Sequence, residues 1–175
     1  YQKRFYNKYN YPIIATPKKV NNKAMPKQEI VLAIIRQESE FDKRANSWAG
    51  ARGMMQLMKY TAKIVAKQAK LPYSISRLTR DPEYNIKLGS YYFNSLIEDY
   101  NGIYPFAIAA YNAGPSAVER WLARRPEDLA TFVRTIPYDE TRDYVVKVIS
   151  WMRRFEAAEE ERLARRADLG LGEPS

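Results

Sequence analysis

Residues 26–41 read Pro-Lys-Gln-Glu-Ile-Val-Leu-Ala-Ile-Ile-Arg-Gln-Glu-Ser-Glu-Phe, and this stretch decides the fold class. Pro26 opens it where a missing N–H costs a helix nothing, and Glu29 follows in the first turn, where the macrodipole favours a negative charge. Val31, Ile34, Ile35, Glu38 and Phe41 then recur at three- and four-residue steps, the spacing of one helical face. One member of that face is a carboxylate. Ionised and unpaired on a buried face it would cost several kcal/mol, so Glu38 either pairs with a cation such as Arg36 or Arg52, or its pKa rises and it keeps its proton. A proton held near neutral pH makes a general acid.

The helical period continues outward from this segment. After a turn-like stretch at 49–53, a second apolar series runs through Met54, Leu57, Met58, Ala62, Val65 and Ala69. Asp81-Pro82-Glu83 combines a capping residue, a first-position proline and an acid, and predicts a helix that lasts until Asn101-Gly102. Shorter apolar helices follow around Phe106–Tyr111, Val118–Leu122 and Leu129–Val133. The last begins near Asp139 and carries Tyr144, Val145, Val148, Ile149, Met152 and Phe155. No internal repeat and no sustained strand alternation occurs. The pattern predicts an all-α, compact multi-helix domain with little or no sheet. Residues 1–25, rich in Tyr, Asn and Lys and broken by Pro12 and Pro17, read as an N-terminal strap or linker. Residues 26–157 form the helical domain and 158–175 a charged, solvated tail. No apolar run approaches the roughly 20 residues that span a bilayer. The chain begins with Tyr1 and reads as a mature or excised piece.

Composition narrows the chemistry. The 175 residues include no Cys and no His, which excludes disulfides, thiolate nucleophiles, histidine triads and His-ligated zinc. Carboxylates, Tyr, Lys and Arg must therefore carry any proton transfer, and no metal or cofactor is expected. The net charge of +9 is lopsided: residues 1–80 hold 17 Lys and Arg against four acids, and residues 81–175 hold 12 against 16. A basic half attracts polyanions such as nucleic acid, anionic lipid or an acidic polysaccharide. The basic residues form no groove-reading helix, so nucleic acid is not the expected partner. Gln56 stands among Met54, Met55, Leu57 and Met58, where its amide needs partners, and Tyr111-Asn112 closes a helix. A cleft lined by a protonated carboxyl, amides and tyrosines suits a sugar polymer, because aromatic faces stack on pyranose rings and amides bond hydroxyls and acetamides. Trp48, Trp121 and Trp151 read as packing residues.

Four motifs stand in order: Glu38-Ser39-x-Phe41, Gly53-Met54-Met55-Gln56, Ala110-Tyr111-Asn112-Ala113-Gly114, and Ile136-Pro137-x-x-Glu140-Thr141-Arg142-x-Tyr144-Val145. Their order and spacing resemble the catalytic domain of soluble lytic murein transglycosylases, over residues 26–156. The family's usual Gly-Leu-Met-Gln reads Gly-Met-Met-Gln here, a change that keeps volume and polarity. The resemblance implies a lysozyme-like fold and cleavage of peptidoglycan between N-acetylmuramic acid and N-acetylglucosamine, leaving a 1,6-anhydromuramoyl end.

By the same resemblance Glu38 is the single catalytic acid and base, and Ser47 orients the acid and the substrate. Gln56 and Met58 line sugar subsites, Tyr111 and Asn112 form the cleft motif, Glu140 contacts glycan or stem peptide, and Tyr144 faces the catalytic glutamate. Paired-carboxylate glycosidases need a second acid, and Glu140 is the distant rival for that role. Two other readings remain open: a lysozyme-type muramidase that adds water, and a non-catalytic peptidoglycan-binding module. The implied partners are glycan strands and their stem peptides. The implied setting is a periplasmic or envelope-associated monomer, its catalytic domain attached to an N-terminal α-superhelical region.

Overall fold

The computed structural model describes residues 12–172; residues 1–11, the first part of the expected strap, lie outside the described residues. A two-strand hairpin, β1 (Lys19–Val20) and β2 (Lys23–Ala24), precedes the helices. Eight helices follow among the described residues. They are α1 (Gln28–Ser39), α2 (Lys59–Gln68), α3 (Arg77–Arg80), α4 (Pro82–Asp99), α5 (Tyr104–Ala113), α6 (Pro115–Leu122), α7 (Leu129–Arg134) and α8 (Asp139–Asp168). The architecture is all-α, as the periodicity predicts. Its one sheet among the described residues is the hairpin, antiparallel in the register Lys19 to Ala24 and Val20 to Lys23. Asn21 and Asn22 make its turn with φ of 49° and 61°, the left-handed pair that a two-residue hairpin turn needs and that Asn tolerates. Lys23 Nζ bonds Glu98 at 2.7 Å, and Gln28 Nε2 donates to the Ile14 carbonyl at 2.6 Å, so the described part of the strap lies against the domain.

Helix α1 is the centre of the molecule. Every side chain from Ile30 to Ile35 is buried, which makes this a helix apolar all round rather than a one-faced amphipathic one. It packs mainly along α8, whose Tyr144, Val145, Val148 and Phe155 close the main core with α4, α5 and α6. A smaller core joins α2, α3 and α4 through Leu57, Val65, Leu78, Tyr84 and Leu88. The α4 cap is the one the sequence predicts: Asp81 Oδ1 accepts from Tyr84 N at 3.1 Å, ahead of Pro82. A second cap, Asp128 Oδ1 accepting from Thr131 N at 2.7 Å, starts α7.

The apolar series 54–69 is helical only in its second half. Gly53 and Gln56 take φ of 78° and 52°, and Arg52 and Leu57 exchange main-chain bonds of 3.0 Å in both directions. Residues 53–58 therefore form a tight reversal instead of a helical turn. Gly53 is required there, since a Cβ would fall 2.0 Å from the Leu78 carbonyl oxygen. Gly89 on α4 is required for a different reason: Met55 packs where its Cβ would be, with Sδ at 2.4 Å. Helix α8 runs unbroken across residue 157, and beyond the core its surface carries ion pairs such as Glu159 with Arg162.

Candidate active site

Helix α1 delivers Glu38 one turn after its fully buried stretch. The helix ends immediately afterwards, with Glu40 and Phe41 both left-handed at φ of 53° and 66°. Ser39 fixes this end to the following loop, its hydroxyl 2.7 Å from the Met54 carbonyl and 3.2 Å from that of Ile35. Glu38 itself is half-buried. Neither candidate cation pairs with it. Arg36 forms an ion pair with Glu40 at 3.3 Å and lies over the Trp151 ring, 4.5 Å from its centroid. Arg52 instead lines a cavity with Lys43, Arg44 and Arg80. Burial accordingly pushes the Glu38 carboxyl from 4.5 up to about 7, and the nearby charge of Glu140 pushes the same way.

The opposing influence is the Tyr144 hydroxyl, which favours the ionised carboxylate. It stops short of a made bond: the oxygen is buried with no partner in hydrogen-bond geometry. An unpaired buried hydroxyl costs about 1–3 kcal/mol, and such groups in native folds call for an explanation. Burial also raises Tyr144 and Tyr111 well above the ordinary tyrosine range, with the Glu38 charge contributing to both. Both phenols therefore stay protonated beside the carboxyl.

The remaining residues named from the sequence fall into two groups. Tyr111, Glu140 and Tyr144 surround Glu38 electrostatically. Tyr111 donates to the Met55 carbonyl at 2.7 Å and is flanked by Tyr92 and Phe93, with ring centroids 5.4 and 5.9 Å away. Glu140 is exposed in the first turn of α8. Asn112 accepts from the Thr141 hydroxyl at 2.7 Å, tying α5 to α8. Ser47, Gln56 and Met58 belong to the loop that follows α1. The Ser47 hydroxyl accepts from Ala51 N at 2.9 Å and makes no hydrogen bond to Glu38. Gln56 donates to the carbonyls of Gly53 and Ala45 at 2.9 and 3.1 Å, which supplies the partners its amide needs and leaves its carbonyl oxygen free. Met58 is exposed at the start of α2.

Two features of the site escape sequence reasoning. Asn85, fully buried in α4, accepts from Met55 N at 2.9 Å and donates to the carbonyls of Arg52 and Leu78 at 2.9 and 3.0 Å. It thereby fixes the loop against two helices, and its one sequence signal is a polar residue inside an apolar helical series. Trp48 is the other. Trp121 is buried and the Trp151 indole N–H bonds Gln37 at 3.1 Å, but Trp48 is 103% exposed. It rides the tip of a turn closed by Gly50 N to Ser47 O at 2.9 Å, where no neighbour can cover it.

With this geometry in place, similarity to known proteins becomes informative. The transglycosylase SLT domain model matches residues 16–131. The chain belongs to that family. Over 127 residues, 71% of the chain, it is 39% identical to the soluble lytic murein transglycosylase of Escherichia coli K12, of which the match covers 20%. The crystal structure of the 70 kDa soluble lytic transglycosylase from Escherichia coli superposes with a TM-score of 0.72 at 32% identity, covering 89% of this chain and 24% of that one. An inactive mutant of Pseudomonas aeruginosa lytic transglycosylase Slt, with one glutamate changed to glutamine, superposes at 0.69 and 35% identity, covering 85% and 23%. The chain thus spans about a fifth of the length of the soluble transglycosylases it matches. Among the described residues no helix is long and apolar enough to cross a membrane.

Proposed function

We propose that this SLT domain is the catalytic portion of a peptidoglycan lytic transglycosylase in which Glu38 acts first as acid and then as base. The observation that carries the reading is the placement of Glu38: a carboxyl at the end of the central helix, held near half-protonation at neutral pH, with two protonated tyrosines beside it. Its match to relatives named lytic murein transglycosylases supports the substrate class. Protonated Glu38 gives its proton to the glycosidic oxygen as the bond to the muramoyl C1 breaks. The sugar's own acetamide oxygen shares the positive charge at C1. Glu38, now a carboxylate, takes the proton of the C6 hydroxyl, and O6 closes on C1. No water enters, and Glu38 ends protonated as it began. The Tyr144 hydroxyl favours the ionised Glu38 over the protonated one, so its stabilisation is greatest as the charge appears.

In the same reading Tyr111 and Asn112 stand on the α5 side of the cleft, Ser47, Gln56 and Met58 contact sugar from the loop side, and Glu140 contacts glycan or stem peptide from the α8 side. The basic first half suits a polymer whose lactyl-linked peptides carry carboxylates. We further propose that the domain lies at the end of a longer α-helical protein, that residues 1–25 lead into it, and that it works in the periplasm or cell envelope.

The test is digestion of purified peptidoglycan by the wild-type chain and by Glu38→Gln, with soluble products read by mass spectrometry. The reading expects muropeptides one water lighter than their reducing counterparts from wild type, and none from the variant. Reducing-end products would move the assignment to a muramidase and to Glu140 as the second carboxylate. Binding without any product would make the domain a recognition module.

A further inference from the structure

The loop that carries Ser47 and Gln56 also borders a cavity. Lys43, Arg44, Asn46, Arg52, Thr79 and Arg80 line it, and its volume is about 500 Å³. Four cations and two neutral polar residues face it, with no acid among them. The carboxylates nearest in sequence are occupied elsewhere. Asp42 accepts from the Arg44 main-chain N–H at 2.9 Å, and Asp81 holds Arg77 at 2.9 Å while capping α4.

Arg52 makes the pocket more than a charged surface. Its main chain is fixed on both edges, through Leu57 at 3.0 Å in each direction and through Asn85 on its carbonyl at 2.9 Å. Its guanidinium Nε is nevertheless buried with no hydrogen-bond acceptor. Buried donors are almost always paired, and a guanidinium presents its donors as a planar fork matched to carboxylate or phosphate. The buried Nε lies out of a ligand's reach, so Arg52 meets the concavity through the rest of its side chain, beside three further cations and no acid, an arrangement suited to oxyanions. The volume falls in the range of organic-ligand pockets and far exceeds what one inorganic anion needs. The ligand is therefore an extended molecule with more than one negative charge. A glycan strand held along one side of this loop carries such molecules, because its peptide branches bear free carboxylates and leave the sugar chain sideways.

We infer that the Lys43–Arg44–Arg52–Arg80 pocket receives the carboxylates of the acidic peptide branches of the glycan, as a specificity site beside the cleft. This rests on the peptidoglycan reading above, and its test needs no turnover. Calorimetry at low salt on the full chain uses N-acetyl-L-alanyl-γ-D-glutamyl-D-alanine, which has two carboxylates and no amine, its diamide, and inorganic phosphate. The tripeptide should bind wild type, and loss of one charge-assisted contact in Arg52→Gln should weaken it about tenfold or more. Arg80→Gln, at an exposed position of α3 outside the loop, should do the same without touching the loop's folding. The diamide should bind at least about tenfold more weakly than the acid, and Glu38→Gln should leave tripeptide affinity unchanged. No binding to wild type, or equal affinity in Arg52→Gln and Arg80→Gln, overturns the inference. Phosphate binding as tightly as the tripeptide overturns the peptide assignment and leaves a plain anion site. Anhydromuropeptides formed by a chain that ignores the tripeptide would sink the pocket alone, whereas tripeptide binding by a chain that yields no such products would sink the catalytic reading.

Discussion

Replacing Glu38 by Gln removes a charge that the fold disfavours and keeps the side-chain shape, so it should stabilise the protein, and only above a certain pH. Burial raises the carboxyl from 4.5 to about 7, and each pH unit of such a difference is worth about 1.4 kcal/mol. The product is about 3 kcal/mol. The sign follows from proton counting. Between pH 4.5 and 7 the folded chain holds a proton at Glu38 that the unfolded chain has lost, so wild-type stability falls as pH rises through that window. Below 4.5 both states are protonated and the term vanishes; above 7 both are ionised and the penalty is constant. Glu38→Gln feels none of this. Its advantage over wild type should be smallest at pH 4, grow through pH 5–7 and level off by pH 8 at about 3 kcal/mol more than at pH 4. For a domain of this size that is roughly 6–12 °C in Tm. Urea unfolding of both proteins at pH 4, 6 and 8 reads it directly. A constant offset between them at all three values would show that Glu38 is not held protonated by burial, and an advantage that shrinks as pH rises would show a hidden cation partner. Either result removes the basis for its role as an acid.

Tyr144→Phe deletes a buried hydroxyl that has no partner, so urea unfolding should show stability unchanged or raised by up to about 1 kcal/mol. The same variant should lower kcat about tenfold or more, and the pH above which activity falls should move upward, because Tyr144 favours the Glu38 carboxylate. Asn85→Ala leaves the buried Met55 N–H and Leu78 carbonyl unpaired, while the Arg52 carbonyl keeps Leu57 N, and urea unfolding should show a loss of at least about 2 kcal/mol. Trp48→Ala, at a fully exposed site, should leave Tm unchanged to within about 0.5 kcal/mol of stability. It should still raise KM for glycan strands in a turbidity assay, through loss of a stacking face.

The helical periods were legible because each reflects burial on a recognisable face, and the α4 start because Asp81, Pro82 and Glu83 each answer a need of a helix terminus. What escaped was structure whose cause lies elsewhere in the chain. Met54, Leu57 and Met58 keep helical spacing, yet residues 53–58 reverse direction, because Gly53 is pressed against the Leu78 carbonyl and Asn85 claims the loop's main-chain groups. No window around residue 55 contains Asn85. The hairpin was hidden for another reason: two residues per strand are too few to show alternation, and its signal was the Asn21-Asn22 pair alone. Trp48 was misread because large aromatic residues are usually covered, and exposure at a turn tip is a property of the turn.

Glu38 illustrates why the site was more legible than the loop that frames it. A carboxylate in line with Ile34 and Ile35 contradicts the pattern it sits in, and such contradictions mark places where stability has been given up for chemistry. The sequence left two resolutions open, an ion pair or a retained proton. The structure separates them through residues that no spacing rule connects: Arg36 is drawn to Glu40 and the Trp151 face, and Arg52 has its main chain held by Leu57 and Asn85 and lines a separate cavity. Removing both cations from Glu38 leaves its carboxyl to burial alone, with Tyr144 close enough to answer the charge once it forms. The same diversion leaves the Arg52 guanidinium without an acid. One loop, pinned by one buried asparagine, thus borders both a retained proton and an unpaired cation, and the Asn85→Ala variant should degrade both together.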